Sequence, residues 1–168
     1  MVSKLVYIGN LGEGYDLETV ISAVNRSEQL SLDIAGKGPK ESSLMAIAGK
    51  RVTFHGYLNS VELMNLLARC EVGVIPMRDD SWVGLPYKLG DYLKAGLKVV
   101  SSLKGECAAL IEKYDLGATY EYGSVEDLLK QLENLEVGSK GSVTLPPEVD
   151  AAEIYPKYVR YVTRDLAD

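Results

Sequence analysis

The sequence predicts an α/β fold: a three-layer, doubly wound parallel sheet of about six strands, followed by a C-terminal closing helix. Short apolar runs rich in β-branched residues alternate with amphipathic segments along most of the chain, which is typical of βαβ units. The runs lack a polar alternation, as expected for strands that are covered on both faces. A length of 168 residues, 46% of them apolar, is enough for one domain with a substantial core.

The predicted strands and helices alternate strictly. Strands are predicted over residues 5–8, 30–35, 52–55, 72–76 and 98–102, with a weaker sixth over 118–122. Helices are predicted over 16–25, 39–48, 60–68, 106–113 and 124–135, and over a segment that has Pro86 as its first helical residue and ends before Gly96. Asn59 and Glu62 have the spacing of a capping box. A connector over 136–150 and the closing helix over 151–168 complete a single domain of residues 1–168.

Charge and composition argue against several classes of partner. The net charge is −6, which disfavours a nucleic-acid groove because such a groove needs a basic face. No run approaches the roughly 20 apolar residues that a membrane-spanning helix needs, and the first residues enter a strand-like segment directly, which predicts no signal peptide. Cys70 and Cys107 match no metal-ligand spacing and are expected to be reduced thiols of a cytoplasmic protein.

Ligands of an open α/β sheet bind at the carboxyl ends of its strands, so the loops that leave these ends are the candidates for a site. The loop over 9–16 has three glycines in six residues, and either its amides approach a ligand or it is a flexible turn. The loop over 36–40 is a glycine-rich turn between a strand and a helix, and such turns are common for packing reasons alone. In the loop over 55–60, His55 is interpreted as structural, because no partner for a nucleophilic triad is recognisable.

The fourth loop, over 77–92, is longer than a structural connection requires and leads into the segment GLPYKLGDYLKAG. Asp79 and Asp80 are interpreted as solvated charges and not as metal ligands. Lys88 and the free amides over 85–89 would suit a phosphate, and Asp91 would accept hydrogen bonds from a ribose diol. Gly90 would allow close approach to the sheet or to a ligand. The alternative is an intrahelical ion pair between Lys88 and Asp91, which contributes only about 0.2–0.5 kcal/mol.

Four segments occur in an order that resembles the C-terminal half of GT-B-fold glycosyltransferases. They are VYIGNLGEGYDLETVISAV, LDIAGKGP, RVTFHGYLNSVELMNLLARCEVGVIP and GLPYKLGDYLKAGLKVVSS. The likeness is to the retaining, sugar-nucleotide-dependent family of group 1 (family 4-like), which includes capsule, O-antigen and other cell-surface polysaccharide enzymes. It covers about residues 5–135 and the tail helix, and it implies a Rossmann-like donor-binding domain, one half of a GT-B fold.

The resemblance also implies roles for residues of all four loops. The donor diphosphate would be held by Gly9, Asn10, Gly12, Leu85, Tyr87 and Lys88. The nucleoside would be held by Gly36, Lys37, Gly38, Gly56, Tyr57 and Leu58, with the ribose at Asp91. The donor sugar would meet Asp80, Trp82, Val83 and Gly84. No catalytic side chain is assigned, and the motifs require no metal or other cofactor.

Two departures from the family pattern concern charge. The family commonly has two acidic residues eight apart, whereas here the second is Asp91 and the first position is Val83, so that Asp80 or backbone groups over 82–85 would replace it. The first loop of the family usually offers an arginine and a lysine to the diphosphate, whereas here it has Asn10 and no lysine, and Glu13 adds negative charge. The candidate replacements are Lys88, Lys37 and Arg78.

The function that the resemblance implies is hexosyl transfer, with retention, from a UDP- or GDP-linked sugar to a saccharide or lipid-linked acceptor. Such enzymes have two domains, and the acceptor-binding half would come from a longer parent chain or from a partner chain. The isolated domain is expected to be inactive and cytoplasmic, and any membrane association would be made by the other half, at the inner face. The alternative is a non-catalytic nucleotide-binding or protein-interaction module with a degenerate phosphate site.

Overall fold

The computed structural model describes residues 2–78, 80, 83–137 and 145–149. Within these residues the chain forms six strands and six helices that alternate from first to last. They are β1 (Lys4–Ile8), α1 (Leu17–Arg26), β2 (Ser31–Ala35), α2 (Glu41–Ile47), β3 (Val52–Gly56), α3 (Ser60–Ala68), β4 (Val72–Ile75), α4 (Tyr87–Lys94), β5 (Lys98–Ser101), α5 (Glu106–Lys113), β6 (Gly117–Thr119) and α6 (Val125–Asn134). The predicted α/β class is confirmed. The closing helix and part of the connector lie outside the described residues.

The strands form one parallel sheet in the order β3-β2-β1-β4-β5-β6. Successive side chains of each strand point to opposite faces and so enter two separate cores. In β1, Leu5 and Tyr7 face the core shared with α1, α2 and α6, whereas Val6 and Ile8 face the core shared with α3, α4 and α5. Burial on both faces is the reason that the strands are apolar throughout.

The predicted helix ends are confirmed where the sequence carries a cap. Asn59 accepts a hydrogen bond from the Glu62 N–H at 3.0 Å, and the Glu62 carboxylate accepts one from the Asn59 N–H at 2.9 Å. Each bond satisfies a donor that the first helical turn leaves without an intrahelical partner. Beyond α4, Gly96 has a φ of +72°, the left-handed conformation expected of a glycine just after a helix.

Many boundaries differ from the prediction by one or two residues; α2, for example, begins at Glu41 and not at residue 39. Two of the differences have a clear local cause. Pro86 is the N-cap of α4 and not its first helical residue, because its ψ of 138° is extended. The proline ring restricts φ to a value compatible with a helix but leaves ψ free to be extended. The last strand begins at Gly117 and ends before the predicted residue 122, since the Ser124 N–H donates to the Glu121 carbonyl at 3.0 Å and turns the chain toward α6.

The loops after β1, β2 and β3 pack against one another through their backbones. The Gly36 N–H donates to the Gly56 carbonyl at 2.7 Å. Gly36 has a φ of +146°, and a methyl group on it would lie 1.8 Å from the Gly9 carbonyl oxygen. A methyl group on Gly38 would lie 2.4 Å from the Leu11 carbonyl oxygen. Packing between the loops therefore requires glycine at both positions, independently of any ligand.

We expect Gly36→Ala to lower the free energy of unfolding by about 3 kcal/mol or more, because the new methyl group overlaps the Gly9 carbonyl and the backbone conformation is unfavourable for alanine. Urea unfolding followed by circular dichroism measures the change. Gly14→Ala is the matched control, since a methyl group there has no atom within 4 Å and should change stability by less than about 0.5 kcal/mol. Equal effects of the two substitutions would contradict the close packing of the loops.

Candidate functional site

A cleft of about 570 Å³ opens at the carboxyl ends of β1 and β2, beside the first turn of α4. Three loops and α4 contribute its walls, which bring together residues that are far apart in the sequence. The lining residues are Ile8, Gly9, Asn10, Ala35, Gly36, Lys37, Tyr57, Leu58, Leu63, Tyr87, Lys88 and Asp91. The cleft adjoins the place where the strand order reverses, between β1 and β4, which is where doubly wound sheets bind ligands.

Tyr92 fixes α4 at this reversal point. The ladder between β1 and β4 ends at Val6 and Gly73. Beyond it, the Tyr92 hydroxyl accepts a hydrogen bond from the Ile8 N–H at 3.0 Å and donates one to the Val74 carbonyl at 3.2 Å. Its ring lies directly on Gly73, where a methyl group would come within 2.2 Å of Cγ. The buried hydroxyl thus joins the two strands and sets the position of the helix that carries the charged residues of the cleft.

We expect Tyr92→Phe to lower the free energy of unfolding by about 2–4 kcal/mol, because a buried N–H and a buried carbonyl both lose their partner. Chemical denaturation measures this loss. Tyr114→Phe is the control, since the Tyr114 hydroxyl contacts only the exposed Glu148 carboxylate and its removal should cost less than about 0.5 kcal/mol. A loss for Tyr92→Phe no larger than that for the control would show that the hydroxyl does not join the strands.

Lys88 is an unusual buried cation, with only 8% of its surface exposed. Its Nζ lies 4.3 Å from the ring centre of Tyr7 and 3.9 Å from that of Tyr15, and it donates to the Tyr7 hydroxyl at 3.3 Å. Two aromatic faces therefore stabilise a charge that has no carboxylate partner among the described residues. The intrahelical ion pair with Asp91, considered above as the alternative, is not formed.

The surroundings of Lys88 keep it available to an anion. Burial lowers the pKa of its ammonium group to about 7. A methyl group on Gly9 would lie 3.2 Å from Nζ, so glycine at this position leaves room for the amine beside the backbone of the first loop. At neutral pH the amine therefore exchanges between its charged and neutral forms, and an anion bound next to it would favour the charged form.

We expect Lys88→Met to raise the free energy of unfolding at pH 7 by about 1–3 kcal/mol, since the burial penalty of about 1.4 kcal/mol per pKa unit exceeds the cation–π stabilisation. Between about pH 7 and about pH 10 the unfolded wild type binds more protons than the folded one, so its stability rises with pH across this window. The advantage of Lys88→Met should therefore shrink as the pH rises.

Urea unfolding at both ends of this pH window measures the difference between the variant and the wild type. Lys94→Met, on the exposed side of the same helix, is the control and should show no such trend. An advantage of Lys88→Met that stays constant with pH would mean that Lys88 keeps its ordinary pKa in the folded state.

The structure brings together most, but not all, of the residues predicted for the diphosphate and the nucleoside. Gly9, Asn10, Tyr87, Lys88, Gly36, Lys37, Tyr57, Leu58 and Asp91 line the cleft. Four do not. Gly12 faces the Asn10 side chain, Leu85 packs against the core under α4, Gly38 packs on the Leu11 carbonyl, and Gly56 lies beside the Lys37 side chain. These four are therefore not among the residues that line the cleft.

Of the residues predicted to meet the donor sugar, the three that the structure describes do not line the cleft. Val83 and Gly84 are exposed on the approach to α4. The Asp80 carboxylate is bound by Arg78, whose Nε lies 3.2 Å from Oδ1. Arg78, one of the three cations considered as replacements, is therefore engaged with Asp80, whereas Lys88 and Lys37 line the cleft. Trp82 and Asp79 lie outside the described residues.

Two details of α4 correct the sequence analysis. The Leu89 N–H donates to the Pro86 carbonyl at 3.0 Å, so it is not one of the free amides at the start of the helix. Gly90 approaches neither the sheet nor the cleft: a methyl group on it would have Val149 as its nearest neighbour, at an ordinary 3.5 Å. Val149 belongs to the segment 145–149, which covers this side of α4.

Glu13 and His55, two further residues considered in the sequence analysis, both have side-chain partners in the structure. Glu13, the acidic residue of the first loop, lies 3.9 Å from the Lys40 Nζ, which also binds Glu18. The unfavourable charge noted in the first loop is therefore partly neutralised from the second. His55 Nε2 lies 2.6 Å from Asp33 Oδ1 in a half-buried pair, which agrees with a structural interpretation of this histidine.

Sequence reasoning missed the residues that surround the predicted ones. Tyr7 and Tyr15, which hold Lys88, carry no local signal, because the contact joins residues about 80 positions apart in the chain. Ile8, Ala35 and Leu63 line the cleft with apolar surface. These residues lie at the ends of β1 and β2 and in the first half of α3. Their place in the cleft could be inferred only if the strand order were known.

Over the described ranges, no three histidine, cysteine, aspartate or glutamate side chains lie close enough to hold a metal ion. No helix in the same ranges is long and apolar enough to cross a membrane.

The fold, with a cleft at the reversal point of a doubly wound sheet, is the architecture of a nucleotide-binding half of a GT-B enzyme. The profile of one family, described as glycosyl transferases group 1, matches residues 2–136. The chain belongs to this family, as the sequence resemblance predicted. No curated protein matches the sequence significantly.

Several glycosyltransferases of known structure are similar in fold to this chain. The pneumococcal O-GlcNAc transferase GtfA, in complex with UDP and GlcNAc, has a TM-score of 0.73 at 18% identity over 99% of this chain and 36% of its own. Anabaena HepE with UDP-glucose has a TM-score of 0.64 at 16% identity over 77% and 37%. The catalytic domain of the Helicobacter pylori cholesterol-α-glucosyltransferase has 0.57 at 19% identity over 77% and 83%. The chain thus spans little more than a third of the first two proteins.

Proposed function

We propose that this chain is the donor-binding domain of a retaining glycosyltransferase that moves a hexosyl group from a nucleoside diphosphate sugar to a saccharide or lipid-linked acceptor. The observation that carries the proposal is the convergence of Lys88, Asp91 and the glycine loops on one cleft at the reversal point of the sheet. A cation without a carboxylate partner and a free carboxylate, one helical turn apart, match the phosphate and the ribose of a nucleotide.

The ribose is assigned to Asp91. Its carboxylate lines the cleft and has no hydrogen-bond or ion-pair partner in the described part of the chain. Two hydroxyl groups in a cis diol can donate to the two oxygens of one carboxylate, and hydrogen bonds to a charged group contribute about 1.5–3 kcal/mol each. Tyr57, Leu58 and Leu63, on the β3 side of the cleft, offer aromatic and apolar surface for the base.

The diphosphate is assigned to Lys88 and to the amides at the start of α4. The Gly9 and Leu11 N–H groups of the first loop already donate to the Ala35 and Lys37 carbonyls. As the bond between the sugar and the diphosphate breaks, negative charge develops on the leaving group. A protonated Lys88 and oriented N–H groups stabilise that charge, and this requires no protein nucleophile. The tyrosine pair holds Nζ at the cleft before the ligand arrives, so little reorganisation is needed.

UDP is the nucleotide that we propose first, with GDP as the next candidate. Two of the structurally similar enzymes, GtfA and HepE, are described in complex with UDP or UDP-glucose. We further propose that an acceptor-binding domain completes the enzyme, in the same parent chain or in a partner, on the cytoplasmic side. The coverage of about a third of GtfA and HepE supports this, and the isolated chain would then bind donor without transferring sugar.

The test is a titration of UDP, GDP, ADP and TDP into the chain, followed by ligand-observed NMR. We expect saturable binding of one nucleotide, weakened about tenfold or more by Lys88→Met and by Asp91→Asn, since each removes a charged hydrogen-bonding partner. Lys94→Met is the control because this lysine lies outside the cleft on the same helix. Affinity should also fall as the pH rises above about 7 in the wild type but not in Lys88→Met.

Two outcomes would count against the proposal. Absence of binding by every nucleotide at millimolar concentration would contradict a donor site in this chain and favour the interaction module. Binding that Lys88→Met and Asp91→Asn leave unchanged would show a nucleotide site elsewhere on the molecule, and the assignment of the cleft would then be wrong.

A further inference from the structure

A free carboxylate lies on the edge of the sheet beyond the cleft. Glu106 is the first residue of α5 and follows the β5 end. A methyl group on Gly84 would lie 2.9 Å from its Oε2, so the carboxylate is folded back against the backbone that leads into α4. Both residues are exposed. Glu106 therefore brings the loop after β5 into contact with the end of the fourth loop, a contact between residues 22 positions apart that no local pattern indicates.

The other acidic side chains described in the loops after β1 and β4 are already engaged. Glu13 pairs with Lys40, Asp16 caps α1 by accepting from the Thr19 N–H, and Asp80 pairs with Arg78. Glu106 has no hydrogen-bond or ion-pair partner among the described residues. An unpaired carboxylate held at a ligand edge is an acceptor for hydroxyl groups.

The strand order gives the direction in which a bound donor would extend. We assign the base to the β3 side of the cleft, the ribose to Asp91 and the diphosphate to Lys88. A donor bound in this order runs along the edge of the sheet from β3 toward β4. A group attached to the far phosphate continues past the first turn of α4. The next loops along the edge are those that carry Gly84 and Glu106.

We propose that Glu106 binds the sugar of the donor, accepting hydrogen bonds from its hydroxyl groups, and thereby helps determine which sugar is used. Gly84 serves this arrangement, because any side chain there would push the carboxylate away. Because this assignment rests on the proposed function, its test separates binding of the nucleotide from binding of the sugar.

The experiment compares UDP with UDP-glucose, UDP-galactose and UDP-GlcNAc, by ligand-observed NMR on the 168-residue chain. In the wild type, we expect at least one sugar to add affinity over UDP and to show saturation transfer to the sugar protons. Glu106→Gln keeps the size of the side chain and should weaken that UDP-sugar about tenfold while leaving UDP unchanged. Gly84→Ala, which displaces the carboxylate without removing it, should act in the same direction.

Glu112→Gln, on the exposed last turn of the same helix, is the matched control and should change neither affinity. Unfolding curves check that each variant is folded. The inference would be overturned if Glu106→Gln weakened the binding of UDP and of the UDP-sugar equally, or changed neither. It would also be overturned if no sugar added affinity over UDP in the wild type. A wild type that binds no UDP would instead overturn UDP as the donor nucleotide, and this inference with it.

Discussion

The geometry of the cleft depends on one buried hydroxyl group. Tyr92 bridges β1 and β4 where their ladder ends, and Gly73 leaves the space that its ring occupies. A doubly wound sheet must leave an opening at this point, because the chain crosses to opposite sides of it, and the backbone groups at the opening still need partners when they are buried. Tyr92 provides them, and in doing so it fixes the helix that presents Lys88 and Asp91.

The burial of Lys88 lowers the stability of the folded protein. Burial disfavours its charge, and two tyrosine rings compensate for part of that cost without neutralising it as a carboxylate would. A carboxylate partner would stabilise the apo form and compete with an anionic ligand. The arrangement is therefore suited to phosphate, and it supplies from α4 the positive charge that the first loop lacks.

The glycine loops serve packing and ligand access together. Gly36 and Gly38 are required by contacts with the first loop, so their presence is explained without a ligand. The same contacts bring the first and second loops close enough to form one wall of the cleft, with Gly9 leaving room for Lys88. The glycines of the second loop are therefore explained by packing and not by ligand binding. The wall of the cleft is a consequence of that packing.

The sequence by itself determined the fold class, the alternation of strands and helices, the capping box of α3 and the glycine that ends α4, because these depend on local periodicity and on residues within a turn of one another. It also brought Lys88 and Asp91 to attention, since both lie in one short helix. Only the tertiary structure decided what surrounds them. The tyrosines around Lys88, the bridge made by Tyr92 and the contact of Glu106 with Gly84 join residues of different elements that are distant in the chain. Their proximity follows from the strand order, and no local pattern encodes it.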